Sequence, residues 1–454
     1  MPGAWGRQGG DENDFADVDM ATIRHDRETD CPEPAFSRIR VVSEQDSSIL
    51  RLRYYSRGML PFDDALRLIL ESAPSMGSER IPVGAGAGRV LAEDLIAHTT
   101  LPTFDYSAMD GYAVAGDSFP DRPPWTLPVR GESRAGALPP ALSPGSACRI
   151  FTGAQIPNGA DTVVMQEDVT RTGERAEFRE RPVLGANIRR RGDDMAEGTN
   201  ALARGTRLNA FQLGLAAALD CSELLVARRP RVTILCTGEE LRAPGSPATP
   251  GSVPDSNGPS LAALVTSAGG IAQLAARTGD TMEATLQAVR DALRGSDLLL
   301  TVGGVSVGEH DLVREALTGA GAELEFWKVQ IKPGKPLAFG RFGETRILGL
   351  PGNPVSAQLT FALFGMPLLR AMQGDRKPIP KRGRARLASD LKQKPGRTGF
   401  YRATLDGDLA LVASNQASGS AASLAYADAL LIVPAESSGF AAGDSVDMIR
   451  LAEL

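Results

Sequence analysis

Between residues 231 and 372 short apolar runs alternate with helical patterns: VTILCT (232–237), PSLAALVTSAGG, IAQLAA (271–276), TMEATLQAVRDALR and DLLLTVGG (297–304). Strand-length apolar runs separated by segments of helical period predict a parallel sheet with helices on both faces, a doubly wound α/β domain. Upstream the pattern differs. LPFDDALRLILESA places Leu60 before Asp63 and apolar residues at Ala65, Leu66, Ile69 and Leu70, which predicts an amphipathic helix with a capping signal. From 98 to 194 the chain is dense in Gly and Pro, and its β-type runs WTLPVRGES, CRIFTG and DTVVMQEDV predict a small all-β domain. Helical period returns at LNAFQLGLAAALD (208–220), and after Pro378 short strands and turns, ending in YADALLIVPAE and DSVDMIRLAEL, predict a second small β-domain. Residues 1–50 show neither period, so they are read as disordered, with order beginning at Met59.

The predicted organisation is therefore a disordered extension (1–58), a helical and linker part (59–103 with 195–230), an inserted β-domain (104–194), the α/β domain (231–372) and a C-terminal β-domain (373–454). Composition narrows the function. With 42% hydrophobic and 23% charged residues in 454, the chain has material for several cores. No stretch of about 18 uninterrupted apolar residues and no secretory leader pattern is present, so no membrane partner and a cytoplasmic location are expected. A net charge of -6 offers no global field for a polyanion, and nucleic acid is not an expected partner. The four cysteines, Cys31, Cys148, Cys221 and Cys236, form no CxxC pair and are expected to be reduced and mostly buried. Only His25, His98 and His310 are available for a histidine metal site or a Ser-His-Asp triad, so a metal must be held by oxygen.

Candidate chemistry concentrates where strands end, the place ligands occupy in open α/β sheets. TGEEL (237–241) puts Glu239 and Glu240 after a Gly turn, and PDSN presents Asp255 before a helix, as ligand or as ordinary cap. In DLLLTVGGVSVGEHD, Gly303 and Gly304 let backbone N–H groups approach a bulky anion, Ser306 adds a hydroxyl, and Asp311 could hold a cation or cap the helix 312–318. In LGLPGNPVSA, Asn353 is the expected cap and Pro354 the first helical residue, with free N–H groups near Val355 and Ser356 as an anion site and Gly352 allowing close approach. IKPGKP holds Lys332 and Lys335 in a Pro-Gly turn suited to an oxyanion. In the first β-domain, TFDYSAMDGYAV carries Asp105 and Asp110, IFTGAQIPNGADTVV carries Thr152, and NIRRRGDD carries Arg189, Arg190 and Arg191; each also fits simple turn chemistry.

Taken together and in this order, FDYSAMDGYAV, IFTGAQIPNGADTVV, NIRRRGDD, TGEEL, PDSN, TVGGVSVGEHD, IKPGKP and LPGNPVSA resemble the signature set of the molybdopterin molybdenumtransferases, the MoeA and gephyrin E-domain family. The resemblance runs from about Met59 to Leu454; Tyr106 stands where the family often has Asn, and Pro254 where an aromatic is usual. It implies a multidomain fold with a central α/β domain of the molybdenum-cofactor-biosynthesis type, an N-terminal helical segment, an inserted small β-domain and a C-terminal β-barrel. The implied reaction takes adenylated molybdopterin and molybdate to molybdenum cofactor and AMP. A homodimer with shared active sites is implied, as is molybdopterin adenylyltransferase as a partner. The residues carried over are Asp110, Glu240, Asp255 and Asp311 as catalytic, and Thr152, Arg189, Gly303, Gly304, Ser306, Lys332, Lys335, Pro351, Pro354 and Ser356 as substrate-binding. Carboxylates around a pyrophosphate would repel it without a divalent cation, so Mg²⁺ is expected at Asp110, Asp255 and Asp311. Competing readings are adenylyl transfer onto molybdopterin, which lacks a counterpart to SAMDGYAV, and a non-catalytic dimeric scaffold.

Overall fold

The computed structural model describes residues 59–276, 279, 281–304 and 312–454. Residues 1–58, Ser306, His310 and Asp311 lie outside the described residues, so the expectations placed on them stay as sequence readings. The first helix, Phe62–Glu71, buries Phe62, Ala65, Leu66 and Ile69 as its period demands. Its cap differs from the expectation: Pro61 occupies the cap position without a side-chain bond, and Asp63 lies in the first turn and pairs with Arg382 at 3.5 Å. Pro61 supplies the fixed φ that starts the helix, while the acid favours the helix N-terminus electrostatically.

The inserted β-domain is a six-stranded sheet containing Gly111–Val114, Trp125–Ser133, Ala147–Ile150 and Thr162–Met165. Helix Ala210–Ala218 follows, opened by a capping box in which Asn209 and Gln212 satisfy each other's backbone N–H groups.

The α/β domain is built from β1 (Arg231–Cys236), α1 (Asn257–Ser267), β2 (Ile271–Leu274), α2 (Met282–Leu293), β3 (Leu298–Val302), α3 (Leu312–Gly319), β4 (Glu323–Lys328), β5 (Pro336–Phe342) and β6 (Thr345–Leu350). The sheet order is β2-β1-β3-β6-β5-β4. Alternation within the strands divides the core. Val232, Ile234, Leu298 and Leu300 point to the face covered by α1 and the long helical run from Pro354 to Met372, and Leu235, Leu299 and Ile347 point to α2 and α3. β2, β1, β3 and β6 pair in parallel, and β4 at the far edge points the same way. The expectation of a parallel sheet is corrected at β5, which runs antiparallel to both its neighbours, β6 and β4. The cause is local: β5 and β6 meet at Phe342 and Thr345 through a tight turn with Gly343 at φ 56°, too short for a crossover.

The run Pro354–Met372 is long and apolar enough by composition to span a membrane, but 89% of its most apolar window is buried in the protein, which makes it a core helix. Its middle, Phe361–Gly365, winds as a π-helix, where a side chain at Gly365 would strike the Phe361 ring. The C-terminal strands Gly383–Leu387, Thr398–Asp406, Leu409–Val412, Ala429–Val433 and Ser445–Arg450 pair around a closed ring, a five-stranded barrel. Ile331–Lys332, sequentially part of the α/β region, adds itself to that barrel by pairing with Thr398 and Gly399.

Candidate active site

Chain order reverses between β1 and β3: β2 lies outside β1, while β6, β5 and β4 lie beyond β3. Loops leaving the two strands diverge and open a crevice at their carboxyl ends. There the structure has a cavity of about 1080 Å³, lined by Thr237 and Gly238 after β1, Gly303 and Gly304 after β3, and Pro351, Gly352, Asn353 and Pro354 after β6. Glu240 lines it, as does Pro336 from the lysine turn. The glycine pair is required twice over. Gly303 and Gly304 sit at φ 87° and 61°, and a Cβ on Gly303 would lie 3.0 Å from the Thr237 carbonyl oxygen.

The Asp255 carboxylate is half-buried beside the cavity, whose wall includes its neighbours Pro254 and Ser256. Its Oδ1 accepts from the N–H groups of Asn257 and Gly258, each at 3.0 Å, so Asp255 caps α1 while Oδ2 takes no hydrogen bond among the described residues. Cap and ligand are thus compatible roles for its two oxygens.

The turn before the long helix departs from the expectation. Asn353 is the cap residue and Pro354 the first helical one, yet the Asn353 side chain does not cap. Its Nδ2 donates to Ser418 Oγ at 3.2 Å, and the Val355 N–H, expected to be free for an anion, donates to the Ser418 carbonyl at 3.0 Å. A loop of the barrel folds over the helix start and takes its donor. Ser356 is only 4% exposed and does not line the cavity.

Lys332 and Lys335 are exposed and sit on the turn that leads to Pro336, but neither side chain lines the cavity. The Lys332 ammonium lies 5.8 Å from the centre of the Tyr401 ring, a cation–π contact with the barrel.

Arg402 is a residue that reading the sequence missed. It is fully buried, yet its guanidinium faces only neutral acceptors: Ser423 Oγ and the carbonyls of Asn415 and Ala417, all at 3.2 Å. Burial lowers its pKa from the usual arginine value. Gln416 clamps the Arg402 backbone from both sides, so the residue shapes the loop that brings Ser418 to the helix and Gly419 to the cavity. The signal was present: TGFYRATL places one cation inside an otherwise apolar strand.

The motifs of the inserted β-domain form a second cluster. Tyr106–Ser107 pairs with Ile188–Arg189, bringing the first and third motifs together. Asp110 Oδ1 accepts from the Thr152 N–H at 2.7 Å and from its hydroxyl at 2.8 Å. The Thr152 backbone bond, then the hydroxyl bond and the Arg149 charge, hold the Asp110 pKa below its ordinary value. Asp105 is tied to the Arg191 N–H and to the Arg190 guanidinium, each at 2.8 Å, and its pKa is lowered by these contacts. None of Asp110, Thr152 and Arg189 lines the α/β cavity. Among the described residues no group of three or more His, Cys, Asp or Glu could hold a metal ion. Among the described residues, Cys148 and Cys221 are free thiols.

An α/β core that opens a glycine-lined cavity at its switch point, joined to a β-insert and a closed β-barrel, defines a multidomain ligand-binding protein. Family models match accordingly: the MoeA N-terminal region (domain I and II) over residues 60–219, the probable molybdopterin binding domain over 233–371, and the MoeA C-terminal region (domain IV) over 384–451. The chain is 38% identical over 394 residues to molybdopterin molybdenumtransferase 2 of Mycobacterium tuberculosis, covering 84% of this chain and 97% of that protein. It is 34% identical over 406 residues to molybdopterin molybdenumtransferase of Nostoc, covering 86% and 93%. Among solved structures, the molybdopterin biosynthesis MoeA protein of Pyrococcus horikoshii superposes with a TM-score of 0.75 at 28% identity, covering 87% of this chain and all of that one. The chain belongs to the MoeA family of molybdopterin molybdenumtransferases.

Proposed function

We propose that this protein is an enzyme that inserts molybdate into adenylated molybdopterin, breaking the pyrophosphate link and releasing AMP to give the molybdenum cofactor. The observation that carries the reading is the large cavity at the strand ends, lined by backbone-rich Gly and Pro turns, in a chain that aligns with molybdopterin molybdenumtransferases over most of its length. Thr237, Gly303 and Gly304 let a bulky phosphorylated ligand approach the main chain. Lys332 and Lys335, on the turn that ends in Pro336, bring positive charge for molybdate to the region where the cavity meets the barrel. Glu240 on the cavity wall and Asp255 beside it are the candidate acid–base and cation-holding groups.

The residues fit Mg²⁺ in a limited way: no three-carboxylate cage forms among the described residues, but Asp255 keeps Oδ2 without a partner, and Mg²⁺ is commonly held by one or two carboxylates plus the substrate's phosphates. Asp255 with Asp311 would hold it, and it would neutralise the pyrophosphate charge. No metal-ligating sulfur is needed from the protein, because the pterin's dithiolene sulfurs become ligands of molybdenum. We place Asp110, Thr152 and Arg189 in the site of a second subunit, since in one chain they stand apart from the cavity they are expected to serve. Purified full-length protein mixed with adenylated pterin, molybdate and Mg²⁺ is expected to release AMP in proportion to molybdate. AMP release that ignores molybdate overturns the reading.

A further inference from the structure

Asn257 opens α1 and is 6% exposed. Its Nδ2 donates to the Gly352 carbonyl at 2.8 Å, which settles the orientation of the amide: turned over, Oδ1 would face another carbonyl oxygen. Oδ1 is therefore the remaining atom, and it is buried without a hydrogen-bond partner among the described residues. The same residue lines the cavity, together with Thr237, Gly303 and Gly352. A buried acceptor with no donor loses its hydration and recovers nothing, and a donor carried by a ligand in the cavity that Asn257 lines would satisfy it.

We propose that Asn257 is a substrate-recognition residue whose Oδ1 accepts a hydrogen bond from an amino or amide N–H on a heterocycle of the substrate. The inference rests on the cavity being the substrate site. An oxyanion does not suit this atom, because two sets of lone pairs would face each other; a neutral heterocycle with an amino or amide edge does. Adenylated molybdopterin offers two such edges, the aminopyrimidinone of the pterin and the amine of adenine. Because Oδ1 is shielded, a donor reaches it with a displacement of the Gly352 turn to which Nδ2 is bonded. Ring recognition and the placement of Pro351 and Pro354 are then linked through one amide.

Titration calorimetry on the full chain, with adenosine and with 6-hydroxymethylpterin in the presence of EDTA, tests this with neutral probes and no divalent ion. Asn257→Leu removes both the acceptor and the Gly352 tether. Asn257→Asp loses the tether but keeps an acceptor at the helix N-terminus. The expected result is an affinity loss of about tenfold in Asn257→Leu for one of the two probes, with Asn257→Asp staying within about threefold of wild type. The probe that responds identifies the ring. Equal losses in both variants would assign Asn257 to holding the turn and overturn the proposal, as would unchanged affinity in both. Wild-type protein that binds neither probe rejects the cavity as the substrate site, a separate failure that takes this inference with it. Should Asn257→Leu not fold, Asn257→Ser, whose short side chain leaves the Oδ1 position empty, replaces it.

Discussion

At the scale of single residues, Asp255 best separates chemistry from architecture. Both roles open at the sequence level, ligand or cap, find an oxygen: Oδ1 caps α1 and, among the described residues, Oδ2 takes no hydrogen bond. Asn is as good a cap as Asp, so Asp255→Asn should melt like wild type, within about 0.5 kcal/mol. If the carboxylate holds a cation on the pyrophosphate, turnover should fall about a hundredfold or more while the adenylated pterin still binds. Wild-type AMP release from a well-folded Asp255→Asn enzyme would leave Asp255 as a cap alone. Gly303 gives a second test: Gly303→Ala forces φ 87° on a residue with a Cβ and presses it on the Thr237 carbonyl. A loss of about 1–2 kcal/mol in stability is expected by denaturant unfolding, together with weakened ligand binding.

At the scale of elements, one carboxylate stands out among the contacts that tie the N-terminal segments to the α/β sheet, which also include Arg346 to the Ser72 carbonyl and Arg207 to Asp375. Asp297, at the foot of β3, receives both terminal nitrogens of Arg228 at 2.9 Å and the Arg231 N–H at 2.7 Å. Burial raises the Asp297 pKa, but the Arg228 and Arg231 bonds and charges outweigh it, and the net shift is downward. A carboxylate with a depressed folded pKa contributes stability above its unfolded pKa and loses it as pH falls through the folded value. Asp297→Asn should therefore cost about 1–2 kcal/mol at neutral pH, moderated by the 39% exposure of the Arg228 side chain. The gap between the two melting curves should close as pH drops below the unfolded value near 3.8. A pH-independent gap in calorimetry would count against the ion pair as its source. The elements themselves were mostly legible because long-period patterns reflect burial on one face, as in Phe62–Glu71. The reversed β5 was not, since apolar runs carry no sign for direction; the hairpin at Gly343 decides it.

At the scale of the whole molecule, the two motif clusters stand apart: Asp110 with Thr152 in the inserted β-domain, Glu240 with Gly303 and Gly304 at the α/β cavity. If two subunits share each site, Asp110→Asn and Asp255→Asn chains, inactive alone, should complement each other. Random pairing makes half the dimers mixed, and each mixed dimer holds one intact and one doubly altered site, so about a quarter of wild-type activity should return. Activity that stays near zero in a verified mixed dimer would place both residues in the same chain's site.

What the sequence determined by itself is the set of chemical turns and the faces of the elements. Gly303–Gly304, the Pro351–Pro354 turn and the motifs of Asp110, Thr152 and Arg189 are local, because backbone conformation and small-residue spacing are written in neighbouring residues. Tertiary structure alone decided which donors and charges remain available. Ser418, more than sixty residues along the chain, takes the Val355 N–H, the barrel captures Ile331–Lys332, and Arg402 is buried beneath the loop that meets the cavity. A free N–H and a satisfied one have the same sequence; hydrogen bonds between distant segments tell them apart, and these exist only once the α/β domain and the barrel have packed.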